Sequence, residues 1–494
     1  MKRRHIWSRR LPPTQITMMA STSSAEPSPS SSSVVTPQKP FPPPPLVRKR
    51  SSVRKEDTLT TWEVVLHLLK GNIGAGALSL PYAFAKIGIY EGPCVYLLVV
   101  VICMYNMDLL LYCKKAVSPD TGVSFGEVAK RILGNRGKTV VNVFLVGTQL
   151  SFCCVYFTVV ATNLRAVLPD KLAREFQERQ IILLVFPIIL ALSWIRSLHS
   201  ITPFSAFANC AVLLGISIVF YYSAIYVAAP TTATVAPVAS SDFTWARLPA
   251  FYGTAVYSFE GIGLVLPLEK DMQEKGRFRG VLVTTMAFVV VLFLFLGEVP
   301  VLAFGTIDNG SMTAVLRQYF SGWPVALANV LLAIACLFSF PIQFYPAMEV
   351  LEKLLLRHGY LTPNIDAFAK SLPRPRRASD LKAAVSVPIP RIVDDALKTS
   401  QYEVRRTLFR SMLCTMLMLV AVCVPDVGLL ISLFGAIGSS MLAVIIPPIL
   451  YVNLNPSSLS PLSYGCHMTL VVFGTVGMVA GTIQACGDIA NTFL

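Results

Sequence analysis

Glu260 stands in the apolar run "TAVYSFEGIGLVLPLEKD", with two glycines, Gly261 and Gly263, directly downstream. A carboxylate in hydrocarbon costs about 2.5–3.5 kcal/mol on insertion scales, so such an acid faces a cavity or a partner and is a functional-site candidate by default. A neutral, hydrogen-bonded Glu capping a helix kink is the structural alternative. Nearer the N-terminus, Glu63, His67 and Lys70 fall within an arc of about 60° at about 100° per residue, which makes one polar helix face. His67, with a reference pKa of about 6.5, is the member of that face able to take and release a proton near neutrality; a satisfied packing histidine is the alternative.

Both positions adjoin glycine clusters. The run "GNIGAGALSLP" places Gly71, Gly74 and Gly76 within six residues. In lipid every backbone polar group must be satisfied internally, so glycines in mid-span mark either close helix packing or a broken helix. A break exposes N–H and C=O groups, and the positive N-terminal end of its second half can hold a carboxylate.

The elements that must position these residues follow from composition. The chain of 494 residues is 54% hydrophobic and 14% charged, with a mean hydropathy of +0.61, which makes lipid its solvent. Apolar runs approaching the roughly 20 residues that cross about 30 Å of hydrocarbon predict an all-α multi-pass protein of about eleven spans. Their bounds are 62–87, 91–113, 138–165, 180–198, 204–228, 247–268, 280–304, 322–356, 405–424, 427–453 and 465–487. The segment 124–133 is too short to span and is expected at the interface. Thr60, three residues before Glu63, predicts a capping box opening the first helix.

The net charge of +15 is concentrated in two places: residues 1–61 hold eleven Lys or Arg against three acids, and residues 352–406 hold eleven against six. Basic segments flanking apolar spans read as cytoplasmic loops with attraction to anionic lipid, in preference to a nucleic-acid surface. Residues 1–57, with "EPSPSSSSVVTPQKPFPPPP", are expected to be a disordered cytoplasmic tail, and 357–404 an inner loop inside a transmembrane domain covering 58–490. The acid-free first 25 residues also fit a transit peptide. With the tail inside, the sequon Asn309-Gly310-Ser311 falls outside, a glycosylation candidate at Asn309.

The 11 cysteines lie mostly in apolar runs with no CxxC or Cys/His cluster, so no metal and no disulfide framework is expected. The neighbours Cys153 and Cys154 are expected to point to different sides of their helix. Glu298 beside Pro300, and Asp108 near Lys114, read as side chains able to snorkel to an interface. Tyr156, Phe259 and the run Phe338 to Gln343 are candidate pocket walls or plain packing. No Walker A, HExxH or GxSxG run is present, which argues against an enzyme and against ATP-driven pumping. Secondary transport, a channel or a receptor remain.

Helices 1 and 6 are five spans apart and run in opposite directions, so their breaks occupy corresponding positions of two inverted halves. Paired interruptions of that kind point to a binding site near the bilayer midplane. "HLLKGNIGAGALSLPYAFAKIGIYEGP" (His67 to Pro93) and "YGTAVYSFEGIGLVLPLEKDM" (Tyr252 to Met272) resemble the helix 1 and helix 6 signatures of the proton-coupled amino acid transporters and vacuolar amino acid permeases, in the amino acid/auxin permease superfamily.

That resemblance implies a five-plus-five inverted-repeat core of the LeuT/APC kind with an eleventh helix, and alternating access. It implies proton-coupled symport of small neutral amino acids at a vacuolar, lysosomal or plasma membrane, with the N-terminus cytoplasmic. The substrate carboxylate would meet the backbone at Asn72, Ile73, Gly74, Ala75 and Gly76. Its ammonium would meet the carbonyls of Tyr257, Ser258 and Phe259, with Phe259 bounding the side chain and Gly261 beside it. His67 matches the family's helix 1 histidine linked to proton coupling, and Glu260 joins it as a coupling candidate. The proton is the coupling ion, no cofactor is implied, and lipids and amino acids are the partners. Long outer loops carry no cysteine pair, a departure from animal members, and the plant and fungal branch shares the "FEGIG" element. An amino acid sensor or scaffold, and a proton/amino acid exchanger on an endomembrane, are the other readings of the same site.

Overall fold

A computed structural model describes residues 59–118, 122–195, 202–228, 245–357 and 400–493. The expected tail and almost all of the expected 357–404 loop lie outside these residues. Among them the regular secondary structure is helical apart from one isolated bridge, Leu59 with Met272.

The first expected span is three pieces: α1 (Thr61–Asn72), α2 (Ala75–Leu78) and α3 (Leu80–Ile87). Thr60 caps α1 in the expected capping box, its hydroxyl accepting from the Glu63 N–H while the Glu63 carboxylate accepts from the Thr60 N–H at 2.7 Å. Next come α4 (Glu91–Val117), α5 (Phe125–Val167), the short α6 (Asp170–Glu175), α7 (Glu178–Ser193) and α8 (Thr202–Ala228). The sixth span is again split, into α9 (Leu248–Ser258) and α10 (Ile262–Asp271). Then follow α11 (Phe278–Phe304), α12 (Met312–Tyr319), α13 (Trp323–Arg357) and α14 (Ser400–Cys423). The last elements are α15 (Val427–Phe434), a π-helical stretch Gly435–Ile445, α16 (Ile446–Leu454) and α17 (Pro461–Asn491).

Eight helices among the described residues are long and apolar enough to cross a membrane. The two broken spans are divided into pieces too short to qualify, and α7 has 16 residues. Within α5 the helix is broken at Gly134, whose φ of 75° and ψ of −165° lie outside the helical region, the positive φ being one that favours glycine. Residues 125–133 are thus a short helix of their own, set off from the third span, in keeping with the expected short segment there.

Leu59 donates to Asp271 O at 2.7 Å and accepts from Gln273 N–H at 3.0 Å, so α1 begins beside the end of α10. This face of the bundle also receives the end of α13 and the start of α14. It is called the basic face, after the basic segments that join it. Two buried ion pairs brace it. Lys114 Nζ lies 3.0 and 2.9 Å from the two carboxylate oxygens of Glu269, joining α4 to α10. Arg410, 1% exposed, donates to Glu352 at 2.8 Å and to the carbonyls of Ser193 and Ile195 at 3.1 and 3.0 Å, while Arg406 meets the other Glu352 oxygen at 2.6 Å. Lys114 serves Glu269, and Asp108 takes a two-pronged contact from Arg279 at 2.6 and 2.7 Å.

α13 packs on α5 and α8, and α7 and α14 close that group. α9 packs against the π stretch, α15 and α17. Cys153 points to Phe340 O on α13 and Cys154 to Leu417 O on α14, the opposite directions expected for adjacent helical residues.

Candidate functional site

The break after α1 is two extended residues: Ile73 at φ −82°, ψ 101° and Gly74 at φ −153°, ψ −157°. Helix restarts at Ala75, so the N–H groups of Ala75 and Gly76 belong to a first turn whose donors lack intrahelical acceptors. A Cβ on Gly74 would meet nothing within 4 Å. The break therefore opens on space.

The second break runs through Phe259 (φ −108°, ψ 29°), Glu260 and Gly261 (φ −104°, ψ 0°). It leaves the last carbonyls of α9, on Tyr257 and Ser258, at a negative helix end. The two breaks touch. A Cβ on Gly76 would stand 3.1 Å from Tyr257 Cδ1 and 3.4 Å from Ser258 Cα, and one on Gly261 would stand 2.8 Å from Asn72 Nδ2. Glycine at both positions lets the two backbones approach.

Asn72 sits between them with 6% of its surface exposed. Its Nδ2 donates to Leu68 O at 2.8 Å, which fixes the amide orientation, because a carbonyl must face a donor. Its Oδ1 is then left buried without a partner. The Tyr257 hydroxyl is likewise unpartnered, and its ring lies 4.7 Å from that of Phe152. Phe259 is fully buried, and the Ser258 hydroxyl is spent on Ala255 O at 2.9 Å. Tyr156 lies beside Ser339 and Gln343 of α13, which places the expected aromatic wall of the third span against the eighth.

Glu260 accepts a hydrogen bond from Ser439 of the π stretch. Thr148 of α5 stands beside it as a second hydroxyl neighbour, with its own proton donated to Phe144 O at 2.8 Å. No cation pairs with Glu260 among the described residues. His67 does not join this group. It lies on the exposed side of α1 with Glu63 and Lys70 as charged neighbours, while Val64, Leu68 and Asn72 form the buried side.

Sequence reasoning passed over Thr148 and the π stretch. The signal present was "GAIGSS" (Gly435 to Ser440), five small residues, two of them bearing hydroxyls, in six positions of an apolar span. A π segment is frequent at functional sites, and Ser440 Oγ donating to Gly435 O at 3.1 Å, five residues back, marks it. Here the backbones nearly meet: a Cβ on Gly435 would lie 1.9 Å from Gly253 O. Asn309 caps its own turn, its Oδ1 accepting from Ser311 N–H at 2.8 Å. Ser311 is buried, and its hydroxyl accepts from Asn163 at 2.9 Å. Glu298 keeps one carboxylate oxygen without a partner.

Two discontinuous helices crossing at their breaks, five spans apart, define an inverted-repeat transporter core. The backbone matches the solved structure titled "Inward facing conformation of Mhp1" with a TM-score of 0.52 at 13% identity, over 87% of this chain and 89% of that one. The expected LeuT-like fold is thereby established.

The family model described as "Transmembrane amino acid transporter protein" matches residues 57–486, and the chain belongs to that family. Among curated proteins it is 26% identical over 438 residues to "Amino acid transporter AVT3C" of Arabidopsis thaliana, covering 84% of this chain and 88% of that protein. It is 24% identical over 460 residues to "Proton-coupled amino acid transporter-like protein pathetic" of Drosophila melanogaster, covering 87% and 86%. The chain is an amino acid transporter, not an enzyme.

Proposed function

We propose that this transporter is a proton-coupled symporter of small neutral amino acids working by alternating access. Its N-terminus and basic face are cytoplasmic, in keeping with the positive-inside bias. The observation that carries the reading is the junction of Gly74–Gly76 with Tyr257–Ser258, where a positive and a negative helix end meet beside open space. In this reading the substrate carboxylate takes the N–H groups of Gly74, Ala75 and Gly76. Its ammonium takes the Tyr257 and Ser258 carbonyls and the free Asn72 Oδ1. The buried walls at Tyr257 and Phe259 favour short, uncharged side chains.

Glu260 is the coupling group. With Thr148's proton committed to Phe144, the carboxyl can hydrogen-bond Thr148 only as a protonated donor, and among the described residues no cation offsets a charge there. Release of that proton to one face and its recapture from the other would tie it to the movement of substrate. His67, on the exposed side of α1, is the proposed exchange point with solvent near the basic face. The "Proton-coupled" wording of the Drosophila relative's name supports coupling, and the vacuolar permease resemblance supports a vacuolar or lysosomal membrane.

An uptake panel across amino acids, in proteoliposomes with and without an inward proton gradient, tests this. Gradient-stimulated uptake of glycine, alanine or proline is expected; uptake indifferent to the gradient would refute proton coupling.

A further inference from the structure

Where α4 packs on α9 and the π stretch, a line of polar side chains runs through an otherwise apolar interface. Tyr96, Cys103 and Asn106 of α4 are fully buried, and Tyr252 of α9 is buried beside them. At about 100° and about 1.5 Å per residue, the three α4 positions fall within an arc of about 80° and span roughly 15 Å. Cys103 is the centre of the line, close enough to Tyr96, Tyr252 and Glu260 to act on each electrostatically.

Three polar atoms on this seam have no partner. The Tyr96 hydroxyl lies beside Ser258, whose own proton goes to Ala255 O at 2.9 Å. The Tyr252 hydroxyl lies beside Ser440, whose proton goes to Gly435 O at 3.1 Å. Neither tyrosine completes a hydrogen bond. Asn106 Nδ2 donates to Ala443 O at 2.8 Å and to Val444 O at 3.2 Å, which fixes its amide and leaves Oδ1 without a donor. Buried polar groups are as a rule hydrogen-bonded, and where no protein group serves them an internal water does.

Glu260 lacks what this seam holds in reserve. The groups facing it are Ser439 of the π stretch, Thr148 of α5, Cys103 of α4 and Tyr257 of α9, and among the described residues none of these is a cation. Thr148's proton is committed elsewhere, so the ionised carboxylate has one firm donor, Ser439. Each further donor to the charged form favours it. We propose that the seam is a site for bound water which, with the Tyr96 and Tyr252 hydroxyls, solvates the Glu260 carboxylate once its proton has left. Both tyrosines act on Glu260 through that water and are positioning residues. This role rests on Glu260 being the coupling group, and adds what makes its charged form tolerable where no cation stands by.

Two measurements on the full-length protein in nanodiscs test this. Radiolytic hydroxyl labelling modifies a buried side chain only where water is held against it. Tyr96 and Tyr252 are expected to be modified, and Phe293, fully buried on α11, is not. The second measurement is the pH at which the infrared carbonyl band of protonated Glu260, identified by its absence in Glu260→Gln, is half lost. Y96F/Y252F removes both hydroxyls but keeps both rings, one packed on Phe84 at 5.7 Å and the other on Phe473 at 5.6 Å. Its midpoint is expected to lie above that of the wild type by about one pH unit or more, the effect of a lost hydrogen bond to a charged group, with each single variant in between. Tyr105→Phe removes a hydroxyl from the same helix where it meets His467 at 2.9 Å, and is expected to leave the midpoint in place. Unlabelled tyrosines, an unmoved midpoint in Y96F/Y252F, an equal shift in Tyr105→Phe, or a Glu260 band that no pH removes overturns the proposal. Tritiated alanine uptake by the wild type separates the two readings. A shifted midpoint with uptake indifferent to a proton gradient keeps the seam and removes proton coupling, and an unmoved midpoint with gradient-driven uptake does the reverse.

Discussion

Lys114→Met removes the counter-ion of Glu269 while keeping an unbranched side chain of similar length. Lys114 is 2% and Glu269 4% exposed, so the orphaned carboxylate has no water to turn to. Removing one partner of a buried pair costs about 3–5 kcal/mol, whereas replacing both by apolar residues of similar volume is often neutral or stabilising. Lys114→Met and Glu269→Leu should therefore each destabilise by about 3–5 kcal/mol. The double variant should return to within about 1 kcal/mol of the wild type, a coupling of several kcal/mol between sites on α4 and α10. Equilibrium unfolding in bicelles titrated with SDS, run as a double-mutant cycle, measures this. The pair also fixes α10 to α4 beside the Leu59 and Met272 bridge, so the double variant should loosen that end of the broken helix even where stability recovers. Single variants costing under about 0.5 kcal/mol, or a double equal to the sum of the singles, would refute the reasoning.

Gly435→Ala puts a Cβ 1.9 Å from Gly253 O and should lose at least about 1–3 kcal/mol by overpacking, seen as a fall in monodisperse yield. Gly438→Ala meets only the Thr148 hydroxyl at 2.9 Å, a side chain that can turn, and should be milder by the same measure. Glu260→Gln keeps an amide able to hydrogen-bond Ser439 and Thr148 but cannot release a proton. Its alanine exchange should persist while stimulation of uptake by an acidic outside disappears, as read by tritiated alanine flux at two pH values. Arg410→Lys keeps the charge but not the planar fork, leaving carbonyls at Ser193 and Ile195 short of donors at about 1–3 kcal/mol each. Its thermal midpoint should fall between those of the wild type and Arg410→Met.

What was legible in the sequence was local. The Thr60 and Glu63 capping box, the glycine runs at Gly71 to Gly76 and Gly261 to Gly263, and the divergent Cys153 and Cys154 each depend on spacing within a few residues, which helical geometry converts directly into placement. What was not legible was partnership across distance. Glu260 and Ser439 are 179 residues apart, Lys114 and Glu269 are 155 apart, and Arg410 and Ser193 are 217 apart. Nothing in the periodicity of one helix states which helix lies beside it. His67 and Glu260 share a chemistry, but the fold sets His67 on the exposed side of α1 and Glu260 at the second break beside Ser439.

The central claim, that the open space beside Gly74 is where substrate sits, is tested most directly by placing a thiol there. Gly74 has an extended φ that any residue adopts, and its Cβ position is empty out to 4 Å, so Gly74→Cys should fold. The measurement is the rate at which a small methanethiosulfonate modifies that cysteine, against the unsubstituted chain as background for its 11 native cysteines. Saturating alanine should slow the modification strongly, and N-acetylalanine should not. Modification at the same rate with and without alanine, in a protein that still binds alanine, would contradict the account.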